Sequence, residues 1–328
     1  MAALIPGKEE FNESINYFTS RLKSTGVDVR METEATVDGL SGYDAVVVAT
    51  GVVPRKLPSG PAFDHPKVVS YADVLLGKAE VGKRVAVIGA GGIGFDVCEF
   101  LTHVHDAPAP SLDVDAFNSL WGIDGTHTSR GGILPEVNTP PAREVIMLQR
   151  KLSKQGKVRC RRKSHGRAEG ARLTAPPPQS LGKTTGWIHR LAVRKAGVQQ
   201  ISGVEYVKVD DEGLHLDVAE PPKDKRPNKA KDAAKNAKRT RQVLDVDTVV
   251  VCAGQESNNG LTDPLRAAGI HTFEIGGADL ASELDAKRAI DQGVRLASKI
   301  EDAQPTDTFL APIPLTKQVF DKLYPLFR

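Results

Sequence analysis

The sequence contains few cysteines and no long apolar run. Its cysteines, Cys98, Cys160 and Cys252, lie far apart in 328 residues. They predict neither a disulfide framework nor, from this chain alone, a four-thiolate zinc or iron–sulfur site. No stretch reaches the ~18 apolar residues of a membrane span, and the start resembles neither a signal peptide nor a mitochondrial presequence. These absences favour an intracellular, reducing compartment, with cytoplasm and mitochondrion both open, and no membrane partner.

Several catalytic signatures are also absent. There is no His-Glu-x-x-His zinc motif and no Gly-x-Ser-x-Gly elbow. The histidines are scattered, and His103 and His105 are too closely spaced to share a helix face. The sequence therefore predicts no metal site and nominates no acid–base catalyst.

The charge is unevenly distributed along the chain. The formal net charge is +3, yet Lys154 to Arg172 and Lys223 to Arg241 each carry a net charge of +7, which leaves the rest of the chain near −11. Neither basic segment interleaves aromatic residues, so a stacking platform for nucleic acid is not expected. Both segments are predicted to be solvated loops.

The pattern of apolar residues predicts alternating strands and helices. Helices are expected from Phe11 to Leu22, after Gly94 to about Phe100, from Thr184 to Arg194 and from Leu284 to Ile300. Residues 106–143 show no clear periodicity and are interpreted as a long insertion. Strands are expected at Val27–Met31, Ala45–Ala49, Arg84–Ile88, Glu144–Leu148, Val198–Ile201, Gly203–Val209, Leu214–Val218 and Val249–Ala253.

The sharpest motif is Gly89-x-Gly91-x-x-Gly94, which follows a predicted strand and opens a predicted helix. In a dinucleotide-binding fold the first glycine makes the turn, the second admits the pyrophosphate and the third lets helix and strand pack closely. The motif thus predicts cofactor contacts from Gly89, Ala90, Gly91, Gly92, Ile93 and Gly94. The alternative is a glycine-rich turn that only tightens packing.

The residues at the end of the next predicted strand indicate whether the site prefers NAD or NADP. An acidic residue there binds the ribose 2′-hydroxyl, whereas an arginine accommodates a 2′-phosphate. Here the strand ends in Gln149-Arg150-Lys151, without an acid, which favours NADP(H). The alternative is that Arg150 and Lys151 simply begin the first basic segment.

Two further glycine turns stand out. Val48-Ala49-Thr50-Gly51 and Val251-Cys252-Ala253-Gly254 share the form of a strand, a small residue and a glycine. Gly276-Gly277-Ala278-Asp279 precedes a predicted helix, where the carboxylate suits either a polyol hydroxyl or a helix cap.

Together these residues resemble the bacterial-type NADPH-dependent 2,4-dienoyl-CoA reductases. The resemblance covers most of residues 4–300, apart from the basic insertions. It is carried by Ile5–Phe11, Ala49–Arg55, His65–Val68, Val87–Asp96, Trp121–Asp124, Met147–Lys151, Leu181–Arg190, Cys252–Glu256 and Leu284–Ile290.

The resemblance implies an α/β fold: a Rossmann-like NADP-binding domain inserted in an incomplete FAD-binding domain of the disulfide-oxidoreductase type. Residues 1–82 and 255–300 would be the remnant of the FAD-binding domain, and residues 83–254 the NADP-binding domain with insertions at 154–180 and 220–241. Residues 301–328 would form a tail. Ala49, Thr50, Gly51, Gly277 and Asp279 would meet FAD, and Ala253 and Gly254 the nicotinamide cofactor.

In that family hydride passes from NADPH to FAD, then through an iron–sulfur cluster to FMN and an unsaturated acyl-CoA. This chain resembles only the C-terminal part, without the FMN-binding barrel, the cluster cysteines or the first glycine fingerprint, which would precede Met1. FMN and iron–sulfur sites are therefore not expected in this chain. A partner chain that supplies the missing flavin half or the barrel is expected instead. The alternatives are a redox-inactive NADPH-binding or partner-binding protein, or a truncated gene product.

Overall fold

The computed structural model describes residues 1–104, 109–134, 140–151, 186–220, 238–281, 286–307 and 309. The helices are α1 (Phe11–Ser24), α2 (Val37–Leu40), α3 (Tyr71–Leu75), α4 (Gly92–Thr102), α5 (Val114–Trp121), α6 (Gly186–Lys195), α7 (Thr262–Ala267) and α8 (Ala286–Ala297). The strands are β1 (Ala45–Val48), β2 (Val52–Pro54), β3 (Val68–Ser70), β4 (Arg84–Ile88), β5 (Glu144–Gln149), β6 (Gln199–Ser202), β7 (Val204–Asp210), β8 (Gly213–Ala219), β9 (Arg239–Leu244), β10 (Thr248–Val251), β11 (Gln255–Ser257) and β12 (His271–Glu274).

The described residues fall into two compact units. The first, here called the large unit, takes in Met1–Arg30 and the described parts of 54–167 and 179–254. The second, the small unit, takes in Met31–Val53 and the described residues from Gln255 onward. The assignment of one cofactor to each part of the chain stays a prediction.

The large unit is built on a parallel sheet with strand order β3-β10-β4-β5-β6. β4 lies at its centre, pairing with β10 through Ile88 opposite Val251 and with β5 through Ile88 opposite Leu148. Val85 to Ile88 are at most 2% exposed. This agrees with the continuous apolar run of the sequence, because a central parallel strand is covered on both faces.

Different layers cover the two faces of this sheet. One face packs against helices: Phe95, Val97 and Cys98 of α4 join Val85 and Val87 in one apolar cluster. The other face packs against the antiparallel sheet β7-β8-β9, whose Leu214 and Leu216 join Ala86 and Ile88. The alternation along β4 thus sends successive side chains into two separate cores.

The small unit has a much smaller sheet. In the described residues, β1 pairs in parallel with β12 alone, with Val47 opposite Phe273. Phe273 packs with Leu296 of α8, and Val48 packs with Leu265 of α7. Two short apolar clusters therefore replace the extended core of the large unit.

The predicted helix from Phe11 to Leu22 is confirmed as α1, but its apolar side is exposed. Phe11, Ile15, Phe18 and Leu22 are between 38% and 62% exposed, and no residue of α1 is buried. We call these four residues the α1 stripe.

Three sequence predictions need correction. Val27–Met31 is not a strand, because its side chains are exposed by half or more and an extended segment without a paired neighbour has no ladder to join. The stretch 106–143, which shows no clear periodicity in the sequence, contains the helix α5. Its N-cap is Asp113, whose carboxylate accepts a hydrogen bond from Ala116 N–H at 2.7 Å. The segment Lys223 to Arg241 is predicted to be a loop throughout, but its end is part of β9.

The end of that segment forms a strand because β8 supplies both a hydrogen-bonding edge and countercharges. The Arg241 guanidinium binds both carboxylate oxygens of Asp217 on β8, at 2.5 and 3.1 Å. Residues 221–237, like the first basic segment from 154 to 180, lie outside the described residues.

Candidate functional site

The predicted glycine motif lies where β4 ends and α4 begins, and two of its glycines have little room for a side chain. Gly89 has φ +118°, and a Cβ there would come within 2.5 Å of the Cys252 carbonyl oxygen. At Gly94 a Cβ would lie 2.0 Å from the Gly89 carbonyl oxygen. These contacts show that Gly89 makes the turn and Gly94 permits close packing, as the motif predicts.

Gly91 and Gly92 have the opposite environment. A Cβ at either position would meet no heavy atom within 4 Å, so packing does not explain the missing side chains. Gly91 is the N-cap of α4, and the first bond of the helix runs from Phe95 N–H to Gly91 O at 3.1 Å. The N–H groups of Gly92, Ile93 and Gly94 precede that bond and are available to an anion.

The neighbouring strand ends complete this site. Cys252 N–H donates to Ile88 O at 2.8 Å, which places Ala253 and Gly254 beside the glycine turn. β5 and β6 lie on one side of β4, and β10 and β3 lie on the other. The order of the strands therefore reverses between β4 and β10, where open α/β sheets bind ligands beyond their carboxyl ends.

The residues predicted to distinguish NADPH from NADH lie at the carboxyl end of β5, where Gln149 is the last residue of the strand. Gln149 is half-buried, and its Nε2 donates to Lys151 O at 2.8 Å. Arg150 and Lys151 are exposed. Burial raises the pKa of the nearby Tyr206, and the positive charge of Arg150 opposes that shift. Two exposed cations thus follow the carboxyl end of β5.

Sequence reasoning missed a charged network on α4. Lys8 Nζ lies 2.7 Å from Asp96 Oδ2, and His189 Nδ1 of α6 lies 2.9 Å from Glu99 Oε1. The hydrogen bond with Glu99 raises the pKa of His189. Asp96 and Glu99 share a helix face, so an i, i+3 acid pair was the available signal. The network ties the first residues of the chain and α6 to the helix that begins at the glycine motif.

Asp96, Glu99 and His189 also lie close enough together to hold a metal ion, as do Asp210, Glu212 and His215. Protein contacts account for both groups, since Lys8 binds Asp96, and Asp210 accepts hydrogen bonds from Lys208 and His215. Neither group therefore requires an ion.

The buried thiols lie next to the glycine turn without being reactive. Cys98 and Cys252 are both free and buried, and desolvation raises the pKa of each thiol. Because the thiolate is the nucleophile, these cysteines act as small apolar residues.

The residues implied to meet FAD come together in the small unit. Gly51 has φ +73°, and Thr50 Oγ1 donates to Asn258 O. A Cβ at Gly277 would lie 2.9 Å from the Gly51 carbonyl carbon and 2.8 Å from Val52 Cγ1. The turn after β1 and the turn after β12 therefore touch through a glycine that admits no side chain.

Asp279 is the acidic group of this second site. Its Oδ2 accepts a hydrogen bond from Gln292 Nε2 of α8 at 2.7 Å. The sequence analysis named Asp279 but not Gln292. Gln292 could have been noticed as a polar residue at a position of α8 where the helical periodicity predicts an apolar one.

No protein-family model matches the chain. A metal reductase of Desulforamulus reducens is 22% identical over 284 residues, which are 85% of this chain and 35% of that protein. A cinnamate reductase of Clostridium sporogenes is 30% identical over 105 residues, 30% of this chain and 15% of that protein. The chain thus spans about a third or less of the length of these curated relatives.

Solved structures show the same relation of lengths. A 2-naphthoyl-CoA reductase in complex with 2-naphthoyl-CoA aligns with a TM-score of 0.58 and 18% identity, over 88% of this chain and 32% of the other. A histamine dehydrogenase from Rhizobium sp. 4-9 aligns with a TM-score of 0.57 and 14% identity, over 95% of this chain and 39% of the other.

These comparisons establish a mixed α/β fold shared with oxidoreductases and support a redox function in general. None of these four proteins is described as a 2,4-dienoyl-CoA reductase. In the part of the chain that the structure describes, no helix is long and apolar enough to cross a membrane.

Proposed function

We propose that this chain is the NADPH- and FAD-binding part of a flavin-dependent reductase similar to the 2,4-dienoyl-CoA reductases, and that it passes hydride from NADPH to FAD. The observation that carries the proposal is the open cradle at Gly91 and Gly92, beside a Gly94 that only glycine can occupy. A turn selected only for packing would not need glycines whose Cβ positions are empty.

The remaining residues of the large unit fit a dinucleotide. The N-terminus of α4 would receive the pyrophosphate, and Gly254 and Ala253 would border the cofactor at the strand reversal. Arg150 and Lys151 would bind the 2′-phosphate, which favours NADPH over NADH. Gly51, Gly277 and Asp279 in the small unit fit the polyol part of FAD.

The bound pair of cofactors supplies hydride donation and acceptance, and the residues of this chain bind and orient it. No described residue is assigned as an acid–base catalyst, because hydride transfer between these cofactors needs none from the protein.

The acyl-CoA step belongs to a polypeptide outside this chain in the proposal. A relative that is more than twice as long as this chain supports a larger working unit. The α1 stripe and the unpaired side of β1 are the features of the described residues that await such a neighbour. Whether that neighbour is a separate partner chain or a further part of a longer chain, the proposed role of this part is the same.

Isothermal titration calorimetry of the full chain with NADPH and, separately, with NADH tests the cofactor assignment. The unsubstituted chain should bind NADPH at least tenfold more tightly than NADH. Gly91→Ala should leave thermal stability unchanged, because its Cβ meets nothing, yet weaken NADPH binding by about tenfold or more because the Cβ occupies the pyrophosphate position. Gly125→Ala is the matched control, since its Cβ also meets nothing within 4 Å.

Arg150→Ala combined with Lys151→Ala should abolish the preference for NADPH while keeping NADH affinity within twofold. Equal NADPH affinity in Gly91→Ala and in the unsubstituted chain would reject the cradle. An absorbance spectrum that shows a flavin band bleached by NADPH would support hydride transfer. Binding of NADPH without any flavin band, even after incubation with FAD, would favour a second candidate function, that of a redox-inactive NADPH-binding protein. The observation that favours this candidate is the small β1–β12 sheet of the proposed FAD site, which has two strands in the described residues.

A further inference from the structure

Two buried or half-buried side chains of α8 hold the turn that carries Asp279. Gln292 is 3% exposed, and its Oε1 accepts a hydrogen bond from Gly276 N–H at 2.9 Å. Arg288, four residues earlier on the same helix face, donates to Gly276 O at 3.2 Å and to Leu280 O. The first and last backbone groups of the turn 276–280 are therefore held by side chains of α8.

The same turn cannot move toward β1. A Cβ at Gly277 would already meet the backbone of Gly51, and Gly276 packs against Ala289 of α8. The turn is thus held from the helix on one side and stopped by the turn after β1 on the other. Asp279 projects from a support whose position is set by the α8 contacts.

Gln292 also decides which oxygen of Asp279 is engaged. Its amide donates to Oδ2 at 2.7 Å, and the nearest Arg288 nitrogen lies 3.9 Å from that same oxygen. Among the described residues, Oδ1 has no hydrogen-bond donor, and the Asp279 side chain is 39% exposed. One oxygen is therefore tied to the protein, and the other is presented as an acceptor.

A carboxylate presented in this way suits a vicinal hydroxyl, because a charged acceptor forms the stronger class of hydrogen bond. We propose that Gln292 is a positioning residue: it holds Asp279 through Oδ2 so that Oδ1 accepts a hydrogen bond from a polyol hydroxyl of FAD. The hydroxyl comes from either the ribityl chain or the ribose. This proposal rests on the FAD assignment above and adds the residue that orients the contact.

Equilibrium dialysis of the full chain against FAD measures the effect. Asp279→Ala and Gln292→Leu should each weaken FAD binding by about tenfold or more, because each removes or misplaces a hydrogen bond that involves a charged group. Asp291→Asn is the control, since Asp291 lies on the same helix and pairs with Arg295; it should change FAD affinity by less than twofold. Riboflavin and ADP-ribose, dialysed separately, show which hydroxyl source depends on Gln292.

Gln292→Glu separates positioning from mere support of the fold. Glutamate still accepts the Gly276 N–H, but when ionised it repels Asp279. FAD affinity of this variant should therefore be about tenfold weaker, while its thermal stability stays close to that of the unsubstituted chain, because Arg288, 3.4 Å from Gln292 Oε1, can pair with the introduced carboxylate. A loss of FAD affinity without a loss of stability is a response that loss of packing alone would not give.

The outcomes are distinct. NADPH affinity, measured on the same samples, reports on the large unit and so tests the proposed function independently of Gln292. If FAD fails to bind the unsubstituted chain, or if Gln292→Leu and Gln292→Glu bind FAD as tightly as it does, the positioning role is wrong. Retained NADPH binding in that case leaves the nucleotide-binding function standing.

Discussion

The strands β4 and β1 have nearly the same sequence character and opposite surroundings. Arg84-Val-Ala-Val-Ile88 lies between β10 and β5 and is buried on both faces. Ala45-Val-Val-Val48 pairs with β12 alone in the described part of the chain, and Val47 is 37% exposed. Burial is therefore set by the neighbours of a strand, and its apolar sequence only permits it.

The glycine turns that follow these strands differ in the same way. After β4, the turn is enclosed by the backbone of Cys252 and opens only at Gly91 and Gly92. After β1, a Cβ added at Gly51 would meet no heavy atom within 4 Å, whereas a Cβ added at Gly277 would lie 2.9 Å from the Gly51 carbonyl carbon. The large unit thus holds a site within one continuous sheet, whereas the small unit assembles its site from two turns and a helix.

The largest effect should come from filling the glycine contact at Gly94, and the contact at Gly277 is its comparison. Gly94→Ala places a Cβ 2.0 Å from a carbonyl oxygen, and we expect a loss of about 3 kcal/mol in the free energy of unfolding together with loss of NADPH binding. Gly277→Ala meets a valine methyl and the backbone of Gly51, and about 1 kcal/mol is expected. Chemical denaturation of both variants measures the difference. A Gly94→Ala chain as stable as Gly277→Ala would contradict the tighter enclosure.

A matched pair of isosteric substitutions compares the strands themselves. Val87→Thr buries a hydroxyl without a partner and should cost about 1–3 kcal/mol. Val47→Thr keeps the branched shape on an exposed position and should cost less than about 0.5 kcal/mol. Thermal unfolding followed by circular dichroism tests the pair. Equal losses would mean that β1 is covered on both faces, contrary to the structure.

A smaller, pH-dependent effect is expected where α6 is tied to α4. Because the pKa of His189 is raised in the folded chain, its ion pair with Glu99 stabilises fully below the unfolded pKa of about 6.5 and is lost as the pH rises through the folded pKa. His189→Gln should therefore lower the free energy of unfolding more at pH 6 than at pH 8. The difference should be less than about 1 kcal/mol, because the pair is partly exposed. Chemical denaturation at the two pH values measures it. His271→Gln, at an exposed position of β12, is the control substitution.

The smallest effect on stability is expected in the α1 stripe. Phe18 is 59% exposed, so Phe18→Ser should change the free energy of unfolding by less than about 0.5 kcal/mol. The binding of a hydrophobic dye to the chain should fall. A drop of several degrees in melting temperature would show instead that another part of this chain covers the stripe.

The sequence predicts the large unit well because its signals are local. The apolar runs of β4 and β5 and the glycines between β4 and α4 need only their own neighbours along the chain to form a strand, a turn and a helix. β5 accordingly extends one residue beyond its predicted end, and α4 begins three residues before its predicted start and ends two residues after its predicted end.

The errors occur where distant residues decide. Val27–Met31 alternates as a strand does, yet no described strand pairs with it. Arg239–Leu244 reads as part of a basic loop, yet Asp217 and the open edge of β8 make it a strand. The segment around α5 was obscured by its prolines and glycines, although Asp113 is an ordinary N-cap.

The same division applies to the sites. Gly89 to Gly94 were recognisable because their spacing carries the chemistry. Lys8 and Asp96 are 88 positions apart, and Gln292 is 13 positions from Asp279. The spacing of Asp96 and Glu99 and the polar Gln292 in an apolar period were visible in the sequence, but the partners of these residues are set by tertiary packing.

The passage of the chain through β2 and β11 has a consequence for protein engineering. These two short strands pair with each other, and Arg55 N–H, just after β2, donates to Gly254 O, just before β11, at 3.1 Å. The stretch between them, some two hundred residues long, therefore leaves and returns at a single point. Segments with adjacent ends are tolerated as insertions, because joining their ends adds little closure entropy to the host. Residues 55–254 could thus be exchanged between hosts at this junction, provided that residues 1–30 are carried with them, because Ile5 packs in the core of the large unit and Lys8 binds Asp96.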